Sequence, residues 1–149
     1  MTFRSTVDFL LHDWIGVESL TSRPRFAEHS RETFDSVLDA CQRVAQEKLA
    51  PSNRIADLEE PTFDGEKVHL PQSTFDAVRA QAESGIIAAA QDYEVGGMQL
   101  PCAVQMACTA TFAKASLPIS AYVGLTRGNA SLLWCMALPC KRRCSPRPS

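Results

Sequence analysis

Long apolar runs are missing from this 149-residue sequence. No stretch reaches the ~18 consecutive apolar residues that a membrane-spanning helix needs, so no membrane span is expected. Excess positive charge is missing too: 17 Asp/Glu stand against 15 Lys/Arg, a net charge of −2. A general nucleic-acid binder carries a basic face or stripe, so nucleic acid is not expected as a partner. The opening MTFRSTVDFLLHDW holds only a short apolar patch, broken by Asp8, His12 and Asp13. It has neither the continuous core nor the small-residue cleavage site of a secretion signal, and the cytoplasm is the expected compartment. Both glycine-rich phosphate motifs, G-x-x-x-x-G-K-[ST] and G-x-G-x-x-G, are absent. Histidine is scarce: His12, His29 and His69 share no ligand spacing, and each reads as a surface or helix-edge residue.

The patterns that are present are helical. Residues 7–20 carry a stripe of Phe9, Leu10, Trp14, Val17 and Leu20, with Gly16 as a weak point. Residues 21–26, with Pro24, read as a connection. The clearest helix spans 27–49, where Phe34, Val37, Leu38, Cys41, Val44, Ala45 and Leu49 recur at three- and four-residue steps. Pro51 is expected to stop it. Residues 51–69, with Asp57, Glu59, Glu60, Asp64 and Glu66, read as a solvated loop. Pro71 opens a helix over 71–84 with a stripe of Phe75, Val78 and Ala82, closed by Gly85.

Charge then nearly vanishes. Residues 85–133 hold only Asp92, Glu94, Lys114 and Arg127 as charges. Two helices are expected there, from Pro101 to about Ala115 and over 118–133, both apolar or neutral nearly all round. Helices of that kind are buried on most sides, and three earlier helices cannot cover two more from every direction. The missing cover is expected from another domain or another chain. Cys41, Cys102 and Cys108 fall inside helical patterns, where a reduced thiol serves as a small apolar residue, so no disulfide framework is expected.

Between the helices lies QDYEVGGMQLP, residues 91–101. Two adjacent glycines permit positive φ and close backbone approach. The run AESGIIAAAQDYEVGGMQLP, followed by AVQMACTATFAKAS and then ISAYVGLTRGNASLL, resembles the N-terminal helical domain of the acyl-CoA dehydrogenases. DFLLHDW and FAEHSRETFDSVLDACQRVAQEKLAPSNR resemble the longer bacterial branch, which includes enzymes similar to 3-methylmercaptopropionyl-CoA dehydrogenase. The resemblance covers residues 5–133. It implies an all-α fold, an incomplete helical bundle, with residues 1–26 as an extension helix and connection and 27–133 as a partial N-terminal-like domain.

The composition changes at residue 134. WCMALPCKRRCSPRPS contains Cys135, Cys140 and Cys144, four Lys/Arg and no acid. The family resembled here continues with a segment like H-G-T-x-x-Q-K. Restoring one base before the Trp134 codon forces Val and Gly and leaves Gln as the only alternative to a stop. On this reading residues 134–149 are a frame-shifted, disordered tail, and the chain is the front of a longer protein. C-x4-C-x3-C lacks the paired spacing and fourth ligand of a zinc site, and no metal is expected.

For the complete parent, the resemblance implies α,β-dehydrogenation of acyl-CoA thioesters in fatty acid metabolism, with FAD as cofactor. A Glu removes the α-proton and the β-hydrogen passes to the flavin as hydride. The family's middle β-domain and C-terminal helical domain supply the base and most flavin contacts. This chain is therefore expected to be inactive alone, to hold no catalytic residue, and to retain no FAD. Its partners are those missing domains, acyl-CoA in the complete parent, and a second copy as a homo-oligomer. The family alignment places Tyr122, Leu125 and Thr126 near the acyl tail. The rival expectation is a self-sufficient helical protein-interaction module without catalysis.

Overall fold

The computed structural model describes residues 2–144, and for 135 and 137–144 their helical backbone alone. Six α-helices and one two-stranded hairpin make up the regular structure of these residues. The core is a seam between α2 (Arg31–Val44) and α5 (Cys102–Ala115). From α2 and its continuation come Phe34, Leu38, Cys41, Ala45 and Leu49, all buried. Val104, Cys108 and Phe112 meet them from α5. The i, i+4, i+7 spacing on α2 aims its stripe at one neighbour, as its sequence requires. Ser30 caps α2 by accepting a hydrogen bond from the Thr33 N–H.

Pro51 does not stop this helix. A π-helical turn over Ala45–Leu49 leads directly into α3 (Ala50–Leu58). The wider turn shifts the register and places Pro51 in the first turn of α3, where its missing N–H costs nothing. The remainder of the expected loop contains a hairpin, β1 (Thr62–Phe63) against β2 (Val68–His69), antiparallel with Thr62 opposite His69. The acids expected to be solvated there are exposed.

The N-terminal stripe requires correction. α1 (Phe3–Asp8) runs into a π-helical turn, Phe9–Trp14, then a 3-10 helix, Val17–Ser22. With 3.6-residue periodicity lost, Val7, Leu11 and Val17 enter the core, whereas Phe9 and Leu10 are exposed and Trp14 is 75% exposed. α4 (Gln72–Glu83) occupies the expected position, but its buried face is Thr74, Ala77 and Gln81. Phe75 and Ala82 face outward, whereas Val78 packs partly buried against the core as expected. An apolar count discounts Thr74 and Gln81, and so displaces the stripe by one residue. Cys102 is exposed, unlike the buried Cys41 and Cys108.

α6 spans Leu117–Cys144, well past residue 133, where the sequence reading ended the helix and began a disordered tail. Residues 145–149 of that tail lie outside the described residues. At 1.5 Å per residue, the 28 residues of α6 extend about 42 Å, against about 21 Å for the 14 residues of α5 beside it. Ile119 and Val123 are buried. Beyond them Leu125, Leu132, Leu133 and Met136 are 72%, 60%, 66% and 70% exposed. Among the described residues, no helix is long and apolar enough to cross a membrane.

Candidate functional site

Tyr122, Leu125 and Thr126 stand at i, i+3 and i+4 of α6 and share its exposed face. The Thr126 hydroxyl donates to the Tyr122 carbonyl at 3.0 Å, so it is spent on its own helix. Tyr122 reaches the rim of a cleft of about 210 Å³, shared with Asn53, Asp57, Thr74, Ser116 and Ile119. Leu125 and Thr126 do not line that cleft. The structure thus brings the three residues onto one surface without enclosing them. Among the described residues, no cation lines the cleft, and Asp57 adds a carboxylate. No flavin step is assigned to this chain.

The surface is held to the body by two polar contacts. Arg127 donates to the Thr109 hydroxyl at 2.8 Å, and the Gln91 amide donates to the Ser131 hydroxyl at 3.3 Å. Gln91 belongs to the glycine-containing loop. Gly96 adopts φ +80°, and the Gly97 N–H donates to the Asp92 carbonyl at 3.0 Å. A Cβ on Gly97 would lie 2.1 Å from the Gln91 carbonyl oxygen. The two glycines therefore meet separate needs, one torsional and one steric. Arg25 fastens the outer side of the loop, donating to Asp92 and to the Ala90 carbonyl at 3.1 Å. The buried His29 ring packs against Phe34, with Nε2 3.2 Å from the Gln99 carbonyl oxygen. Leu100 is thereby delivered into the core, immediately before α5.

His12 is buried, as is His29, contrary to the surface reading; only His69 is exposed. Glu18 lies 2.5 Å from His12 Nδ1 and Asp35 lies 3.3 Å from Nε2. Burial works to raise the Glu18 carboxyl. Its backbone hydrogen bond, His12 and Arg31 together outweigh that and hold it below its ordinary range. Arg4 spreads its guanidinium over Asp8, Asp35 and Asp39. This lattice clamps the N-terminal segment to α2. Asp8, His12 and Asp35 are close enough together to hold a cation, but Arg4 already supplies positive charge to both carboxylates. Sequence reasoning missed the clamp; its available signal was Arg4, Asp8 and His12 at four-residue steps.

No protein-family model matches this chain, and no curated protein sequence matches it.

Proposed function

We propose that the chain is the N-terminal helical part of an acyl-CoA dehydrogenase-like flavoprotein, forming one wall of its acyl pocket. The observation that supports this reading is the apolar face of α6. Leu125, Leu132, Leu133 and Met136 project from one long helix with no cover from the described residues. Leu132, Leu133 and Met136 lie within about one turn of each other, and clustered exposed apolar side chains of this kind mark a contact with other protein or a ligand. In this reading the middle β-domain and the C-terminal helical domain cover that face. Tyr122, Leu125 and Thr126 line the acyl tail's path and keep water from it. The base and the flavin contacts belong to those other domains, and the parent acts on acyl-CoA thioesters.

Co-expression with the middle and C-terminal domains of a long-branch acyl-CoA dehydrogenase tests the reading. The expected result is a soluble complex with flavin absorbance and acyl-CoA-dependent dye reduction, while the chain alone shows neither. Tyr122→Ala should alter acyl-chain preference in the complex. Failure to associate, together with a monodisperse chain whose α6 face is covered by its own residues, would favour the self-sufficient interaction module.

A further inference from the structure

On another part of the molecule, α1, α2 and α5 enclose an open cavity of about 500 Å³. Its base is apolar: Val7, Leu38 and Ala45 are buried, and Phe3 forms one side. Small side chains, Ala45, Ala50 and Ala115, leave the space unfilled. The volume is in the range that accepts a small organic ligand.

The polar groups are unevenly charged. Arg4 and Lys114 line the cavity, and no carboxylate does among the described residues. Arg4 is already paired with Asp8, Asp35 and Asp39. Lys114 forms no ion pair among the described residues; its Nζ lies 4.7 Å from the Phe3 ring centroid. The amides of Gln42 and Gln46, one helical turn apart, also make no side-chain hydrogen bond among the described residues. An ammonium with no ion pair, two amides with no side-chain hydrogen bond and an apolar base form a set that suits one kind of ligand. None of the lining residues belongs to the Tyr122 surface.

We propose that this cavity binds an amphipathic monocarboxylate, its carboxylate on Lys114 and the Gln42 and Gln46 amides and its alkyl or aryl body against Phe3, Val7 and Leu38.

Calorimetric titration of the full chain with 4-phenylbutyrate, 4-phenylbutanol and 4-phenylbutylamine tests this. The carboxylate should bind about tenfold more tightly than the alcohol, and the amine should bind least. Lys114→Gln should remove the preference for carboxylate over alcohol. Ala50→Phe, which fills the cavity from its exposed edge, should abolish binding of both. Leu58→Lys, at the exposed end of α3 and outside the cavity, should leave binding unchanged. Far-UV circular dichroism establishes that each variant folds; where one does not, the comparison among the three ligands decides. Equal affinity for carboxylate and alcohol, an unchanged preference in folded Lys114→Gln, or no binding by the wild-type chain would overturn the proposal.

Discussion

Gly97→Ala should be far more damaging than Gly96→Ala, although the residues are adjacent. A Cβ added at Gly97 would lie 2.1 Å from the Gln91 oxygen, 2.4 Å from its carbonyl carbon and 2.8 Å from the Ala88 oxygen. Ordinary contact begins at 3.4 Å, so the Gln91 peptide must retreat by about 1.3 Å. It is not free to do so, because its carbonyl accepts from the Gln99 N–H at 3.0 Å and its N–H donates to Ala88 at 2.9 Å. Overpacking against well-packed atoms costs about 1–3 kcal/mol. Each loop hydrogen bond lost adds about 1 kcal/mol. The expected destabilisation is about 3 kcal/mol or more. At Gly96 a Cβ meets nothing within 4 Å, so only the left-handed φ of +80° matters. That costs about 1–2 kcal/mol. Urea unfolding followed by far-UV circular dichroism measures both variants. A Gly97→Ala loss below about 0.5 kcal/mol, or one smaller than that of Gly96→Ala, would refute this reading of the loop.

Placing charge on the α6 face should suppress self-association: Leu125→Lys with Leu132→Lys should sediment as a monomer where the wild-type chain associates, at unchanged helix content. Equal association of the two would point to a different surface. Cys41 is pushed well above the ordinary thiol range by its hydrogen bond to Cys108 and by burial, so it should resist alkylation in the folded chain. Peptide mapping should find Cys102 labelled and Cys41 and Cys108 protected until the chain is unfolded. Asp64 is held at about 2, below the usual 3.8, by hydrogen bonds from the Lys67 N–H, the His69 ring and the Glu66 N–H. Because its folded value is depressed, its contribution to the hairpin is complete above about pH 3.8 and lost as pH falls toward 2. The Lys67 and Glu66 amide resonances should titrate with a midpoint near 2; a midpoint at 3.8 would show that the carboxylate is free.

The helical class, the α2 stripe, the Pro71 and Pro101 starts and the role of the glycine pair were legible because each rests on local rules of periodicity, proline placement or torsion. The hairpin was also legible in principle. Asp64-Gly65 between Thr62-Phe63 and Val68 is a hairpin signal, and the surrounding acids hid it. Of the N-terminal stripe, Val17 and Leu20 do reach the core, but Phe9, Leu10 and Trp14 were misplaced, since a π-helical turn alters the period on which stripe counting depends. The burial of His12, which is stabilised by Glu18 and Asp35 from other segments, was not legible. At the candidate site, the shared face of Tyr122, Leu125 and Thr126 follows from helical spacing alone. Its lack of enclosure is a tertiary fact that no local pattern contains. The α1–α2–α5 cavity left no trace in the sequence, because alanines that leave a void read the same as alanines that pack.

Amide hydrogen exchange along α6 is the most direct measurement of whether its apolar face awaits cover. In the isolated chain, amides from Leu125 onward should exchange orders of magnitude faster than those of Val104–Phe112 in α5, because only the latter lie under buried apolar contacts. They should slow to match α5 when the face is covered in a complex. Equal protection of the two helices in a monodisperse monomer would contradict the claim.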